Sequence, residues 1–202
     1  MPAGTFVMGS RTTADGGADL VTVAPYCIDF TEVTVRAFHA SDAGAAPTPV
    51  SSCNGNQPTR QLHPVNCVDW FQALRYCTVI GKRLPTEEEF EWAARGTTAN
   101  TLYPWGNVSP SSTQVCWSRQ PAAGTCEAGL STLGRSPQGI DDLAGNVWEW
   151  TSSCSDSLCA NRVARGGSWF TSSDVFLRAS YRDVRVATVQ SDVYGLRCAL
   201  TP

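Results

Sequence analysis

Two stretches of the chain combine helical apolar spacing with helix end signals. In the first, Asp69 and Gln72 form a capping pair ahead of the run Phe71, Leu74 and Thr78, and Gly81 supplies the left-handed turn that stops a helix. A helix over about 70–80 is predicted. In the second, Thr86 and Glu89 make a capping box, Glu87 and Glu88 sit at the positive end of the helix dipole, and Arg95 lies near its negative end before Gly96. Phe90, Ala93 and Ala94 form its expected buried side. A shorter helix is predicted after Thr34, with Val35 and Phe38 inward, fading into loop through the Ala-rich residues 40–46. The opening Met1-Pro2-Ala3-Gly4-Thr5-Phe6 reads as a strand.

The remainder is rich in turn formers. Seventeen glycines and twelve prolines, with Ser/Thr clusters around 109–113 and 151–157, divide it into short strands and long ordered loops. Such loops bury too little apolar surface to hold themselves, so disulfides, large aromatics or a metal must hold them. Residues 43–52, rich in Ala, Pro and Ser, read as a surface loop rather than a linker. With 202 residues, 42% of them hydrophobic, and no internal repeat, one domain over 1–202 is expected.

Net charge of −3 without a basic cluster argues against a nucleic-acid partner. No apolar run approaches the roughly 20 residues of a bilayer helix, so this segment is not expected to insert into a membrane. Nine cysteines point to an oxidising, extracytoplasmic compartment, secreted, periplasmic or at the cell surface, with a targeting segment expected upstream of residue 1. A zinc site would need close Cys/His pairs such as C-x2-C, and none occurs.

Several motifs appear in an order that identifies a family. They are Pro2-Ala3-Gly4-Thr5-Phe6-Val7-Met8-Gly9-Ser10, Glu32-Val33-Thr34, His63-Pro64-Val65, Gly81-Lys82-Arg83-Leu84-Pro85-Thr86-Glu87 and Tyr103-Pro104-Trp105-Gly106. Leu143-Ala144-Gly145-Asn146-Val147-Trp148-Glu149-Trp150, Arg165-Gly166-Gly167-Ser168-Trp169 and Gly195-Leu196-Arg197-Cys198-Ala199 follow. Together they resemble the formylglycine-generating enzyme, or sulfatase-modifying factor, domain across essentially the whole chain. The resemblance implies an α+β, C-type-lectin-like fold with little regular structure, two main helices and short antiparallel strands. Gly166 and Gly167 would admit close backbone approach, and Trp148, Trp150 and Trp169 would supply core area. Arg165, Arg178, Arg182 and Arg197 either line a cleft or lie buried against carbonyls and carboxylates.

Catalytic members of this family hold copper(I) on a cysteine pair after the Gly-Gly-Ser motif. The corresponding positions here fall at Thr171 and Phe176, and no small shift brings a cysteine there. A hydroxyl and a phenyl ring do not replace soft thiolates, so no copper and no catalytic residue are expected. Cys154 and Cys159 have the pair's spacing but precede the motif, and read as a local disulfide. Cys116 and Cys126 read as a loop staple. The resemblance implies a Cys77–Cys198 disulfide, while the family's other structural pair would fall near Ala94 and Ser180 or Tyr181, where both cysteines are missing. Cys27, Cys53 and Cys67 cannot all pair. Cys27–Cys67 is preferred, leaving Cys53 free, with Cys53–Cys67 as the alternative.

A second enzymatic branch uses three histidines on an added domain to hold iron. Only His39 and His63 occur, so no iron of that kind is expected. No Gly-x-Ser-x-Gly elbow supports a serine hydrolase. The family's calcium loop maps onto side chains of Asp142 and Glu149 and carbonyls of Gly145 and Val147, the hard oxygens that Ca2+ takes. Its second calcium site falls on Val115 and is lost. The expected function is non-catalytic recognition of a protein, peptide or glycan ligand. Trp169, Phe170, Thr171, Ser172, Asp174, Phe176, Arg178 and Arg182 are the candidate contacts, since this region forms the cleft of related enzymes and the ligand face of retroelement variable proteins. An oxidoreductase of the formylglycine-generating or sulfoxide synthase type with an atypical metal site is the alternative.

Overall fold

Both long helices form, and their ends show why. In α2 (Trp70–Val79), Asp69 accepts from the Gln72 N–H at 2.9 Å while Gln72 Oε1 accepts from the Asp69 N–H at 3.0 Å. In α3 (Glu87–Ala94), Thr86 Oγ1 and Glu89 make the same reciprocal pair, at 3.2 and 2.9 Å. The short α1 (Val35–His39) is capped by Thr34 and buries Val35 and Phe38, as expected. One periodicity needs correction: α2 buries Trp70, Ala73, Tyr76 and Cys77, and leaves Phe71 more than half exposed. Trp70 fixes that rotation, because its indole N–H donates to the Thr151 carbonyl at 2.7 Å.

The computed structural model describes residues 1–9, 18–44 and 52–202; Ser10 and most of the 43–52 loop lie outside them. Strands β1 (Gly4–Gly9) and β2 (Ala18–Val23) form an antiparallel ribbon, and β3 (Cys27–Ile28) pairs with β8 (Ala199–Leu200). The larger sheet has the order β6-β5-β4-β7, built from β4 (Trp148–Cys154), β5 (Asn161–Arg165), β6 (Arg182–Val186) and β7 (Tyr194–Gly195). The fold is α+β with sparse regular structure. Its strands are not all antiparallel, because β7 runs parallel to β4. Stacking of Tyr194 on Trp150, with ring centroids 5.1 Å apart, accompanies that pairing.

The main core lies between α1, α2 and the β4–β7 side of the large sheet, and includes Trp148 and Trp150. Charged groups are buried with it. Glu91, wholly buried, meets Arg95 and Arg165, and Glu149 meets Arg197 through two bonds of 2.6 and 2.8 Å. Arg165 and Arg197 thus take the second of their two expected roles, since they also donate to the carbonyls of Ala179, Ser180, Asp29 and Asp141. Gly167, at φ 83°, allows the Phe176 carbonyl to come within 2.9 Å of where a Cβ would stand.

Four disulfides close the loops: Cys53–Cys67, Cys77–Cys198, Cys116–Cys126 and Cys154–Cys159. The preferred Cys27–Cys67 pairing is therefore wrong and the alternative correct. Cys27 is an exposed thiol in β3, opposite Leu200, whereas Cys53 and Cys67 are both buried with Cα atoms 5.8 Å apart. Cys67 adopts a left-handed backbone, φ 61°, which sequence spacing does not reveal.

The Glu149–Arg197 pair generates a test. Replacing Arg197 by Met leaves a carboxylate buried without its counter-charge, and is expected to lower unfolding free energy by about 3–5 kcal/mol in a urea titration. Adding Glu149→Leu should recover most of that loss.

Candidate functional site

The segment after β5 turns tightly before it reaches the site. Ser168 N–H donates to Thr171 Oγ1 at 3.0 Å, Thr171 N–H donates back to the Ser168 carbonyl at 3.1 Å, and Trp169 N–H donates to the Asn146 carbonyl at 2.7 Å. Phe170 is thereby thrown outward, 56% exposed, and a 3-10 turn over Asp174–Leu177 brings Phe176 edge-on to Tyr181 at 4.8 Å. These rings and Trp148 surround an open cavity of about 530 Å³.

Residues 181, 183 and 185 share one side of the β6 segment by strand alternation, so Tyr181, Asp183 and Arg185 all line the same cavity. Tyr194 from β7 completes the polar end. Its hydroxyl donates to Asp183 Oδ2 at 2.5 Å and accepts from Arg185 Nε at 2.7 Å, and Arg185 also pairs with Asp183 at 3.2 Å. Burial, then the bond to Asp183, raises the Tyr194 pKa above the usual phenol value, so the phenol stays protonated. The trio is satisfied within itself, and presents aromatic faces, hydroxyls and one guanidinium to an entering group.

The candidate contacts divide. Phe170, Thr171, Ser172 and Phe176 line the cavity. Trp169 does not: its indole donates to the Asp192 carbonyl at 3.1 Å, and it borders a separate hollow of about 350 Å³ with Asn54 and Asn66. Asp174 accepts the Tyr103 hydroxyl at 3.0 Å, Arg178 lines a third hollow with Arg95, and Arg182 is bound through both Glu87 oxygens. Trp148, Tyr181, Asp183, Arg185 and Tyr194 were missed. The alternation of 181, 183 and 185 was a readable signal, but the placement of Tyr194 beside them depends on the parallel β4–β7 pairing.

Asp142, Gly145 and Val147 lie on the approach to β4 and Glu149 within it, with the Asp142 charge close to Glu149. Asp142, in a left-handed conformation, accepts from Gly129 N–H, and Glu149 is held by Arg197. Glu32 enters the same region, accepting from Asn146 Nδ2 at 2.6 Å and Val147 N–H at 3.1 Å. Burial first, then the Asp142 and Glu149 charges, pushes the Glu32 pKa well above the carboxylate range. Three buried carboxyl groups thus share one nearby arginine. Their donor atoms are hard oxygens, the class Ca2+ takes, but both Glu149 oxygens are engaged by Arg197 and both Glu32 oxygens by Asn146 and Val147. Among the described residues no three His, Cys, Asp or Glu side chains already converge as a metal cluster.

The sparse α+β frame and the cavity behind its Gly-Gly-Ser turn are those of a sulfatase-modifying factor domain. Residues 1–202 match the sulfatase-modifying factor enzyme 1-like domain, and the chain belongs to that family. It is similar to inactive C-alpha-formylglycine-generating enzyme 2, with 38% identity to the Bos taurus protein over 67% of this chain and 50% of that one. For the Mus musculus protein the figures are 32% identity, 98% of this chain and 84% of that one. It is also 31% identical to the formylglycine-generating enzyme of Mus musculus, over 75% of this chain and 56% of the enzyme. The match thus spans half of the bovine relative and little more than half of the mouse enzyme. In fold it is similar to Treponema denticola variable protein 1, with a TM-score of 0.83, 21% identity, and coverage of 100% of this chain and 94% of the other.

Tyr194→Phe removes the hydroxyl that bridges Asp183 and Arg185. A loss of about 1 kcal/mol in chemical denaturation is expected, with the fold retained by circular dichroism.

Proposed function

We propose that the chain is a non-catalytic recognition domain, working outside the cytoplasm, that takes a protein, peptide or glycan group into the cavity between Phe170, Phe176 and Tyr181. The observation that carries this reading is the lining itself. By the sequence resemblance Thr171 and Phe176 fall where the family's copper thiolates would, and neither the Thr171 hydroxyl, already hydrogen-bonded to Ser168, nor a phenyl ring grips copper(I). What remains is a rigid aromatic rim over a polar floor. Such a surface offers large contact area at little loss of side-chain freedom, with hydroxyls and Arg185 to orient polar groups. The similarity to relatives named inactive supports the same reading. Four disulfides support an oxidising location, and among the described residues no helix is long and apolar enough to cross a membrane.

Calcium belongs to this proposal as a structural ion. Asp142 and Glu149 would hold it through carboxylates, and Gly145 and Val147 through carbonyls. It would supply charge compensation to a region where three carboxyl groups face Arg197.

Two measurements test the proposal. Protein with its disulfides intact, exposed to copper(I) and a cysteine-containing peptide, should retain no stoichiometric copper and take up no oxygen. Copper retention with thiol oxidation would overturn it. On glycan and displayed-peptide arrays, binding should fall at least tenfold in a Phe170→Ala/Tyr181→Ala variant that keeps its melting temperature, and ligands held equally by both proteins would count against the cavity. Separately, calcium should raise the melting temperature by several degrees over a chelator control, and Asp142→Ala should abolish the rise.

A further inference from the structure

We propose that Cys116–Cys126 is a thiol–disulfide exchange site, and that its reduction by a dithiol loosens the wall of the recognition cavity. Both cysteines line a solvent-open hollow of about 360 Å³, with Arg119, Glu127 and Asp142 around them. The other disulfides differ. Cys77 and Cys198 are wholly buried, and Cys53 and Cys67 are at most 2% exposed. Cys154–Cys159 is more accessible, but its loop is knotted on Asp156, which accepts the N–H groups of Leu158, Ala160 and Asn161.

The Cys116–Cys126 loop is wired directly to the cavity. Inside it, Ser118 N–H donates to the Thr171 carbonyl and Arg119 N–H to the Trp169 carbonyl, both at 2.9 Å. Its two ends are held by one residue: Asn146 N–H donates to the Cys116 carbonyl at 2.8 Å, and Asn146 Oδ1 accepts from the Cys126 N–H at 2.9 Å. The same Asn146 carbonyl receives Trp169 N–H. The disulfide closes this circuit covalently. Without it, the 118–119 bonds to 169–171 must hold a loop, residues 117–125, that has regained its freedom.

The exchange balances as two thiol attacks. One thiolate of a dithiol attacks Sγ of Cys126, the less buried residue of the pair, forming a mixed disulfide and releasing the Cys116 thiolate, which takes up a proton. The second thiolate of the reductant attacks that mixed disulfide and releases Cys126. Two electrons and two protons pass to the cystine, and the dithiol leaves as a disulfide. Arg119, Glu127 and Asp142 all line the hollow in which the thiolates form, so they meet charge of both signs. The proposal rests on the hydrogen bonds of the cavity wall and is independent of what the cavity binds.

The test uses the full chain with Cys27→Ser, so that the free thiol does not reshuffle bonds. Dithiothreitol is titrated, thiols are trapped by alkylation and located by mass spectrometry, and amide hydrogen exchange is read in parallel. Cys116–Cys126 should open at a dithiol concentration at least tenfold below that for Cys77–Cys198 and Cys53–Cys67. At that point exchange at Ser118, Arg119 and Trp169 should speed up at least tenfold while the α2 and α3 amides stay protected. A Cys116→Ser/Cys126→Ser variant should show the same pattern without reductant. The idea fails if Cys116–Cys126 outlasts either buried pair, if it opens with those three amides unchanged, or if it opens only with exchange across the whole chain. Because no ligand is involved, these outcomes do not depend on the recognition reading.

Discussion

Asn146 is wholly buried and in a left-handed conformation, φ 55°, and its four polar groups each bind a different segment. Its N–H reaches Cys116, its carbonyl accepts from Trp169, its Oδ1 accepts from Cys126 and its Nδ2 donates to Glu32. Long loops without regular hydrogen bonding must satisfy their backbone groups somewhere, and a leftover buried donor or acceptor costs about 1–3 kcal/mol. One fully used asparagine settles that requirement for four stretches of chain at once. A shorter or apolar side chain there would strand the Cys126 N–H and one Glu32 oxygen.

Around this hub the interior carries charge where a larger regular core would carry leucine. Arg165 joins β5 to α3 and to the carbonyls of 179 and 180, and Arg197 joins the C-terminal motif to β4 and to the carbonyls of Asp29 and Asp141. Net stability from such buried pairs is small, since desolvation offsets most of the attraction. Their effect is on uniqueness. Each guanidinium has several donors in a fixed plane, so a displaced loop would leave buried donors without partners. The cavity wall inherits that rigidity.

Helix boundaries were legible because Asp69, Gln72, Thr86 and Glu89 are local signals whose partners lie three residues away. The motifs gave the family, and Thr171 and Phe176 line a cavity. Long-range choices were less accessible. Whether Cys67 paired with Cys27 or Cys53 depended on a left-handed residue and on β3 finding β8. The turn of Trp169 away from Phe170 depended on Asp192, and the polar floor needed Tyr194 to arrive beside β4. Arg182 looked like a ligand contact because nothing in its neighbourhood announces Glu87, 95 residues earlier.

The pairing of β3 with β8, locked by Cys77–Cys198 across 121 residues, has a consequence for biogenesis. Until residues 199–200 have been synthesised, β3 lacks its strand partner and Cys77 of α2 lacks its disulfide partner. Contacts of such high sequence separation close slowly and leave hydrophobic surface open meanwhile. Nascent chains should therefore depend on chaperones and on disulfide-forming catalysts until β8 and Cys198 are available to pair.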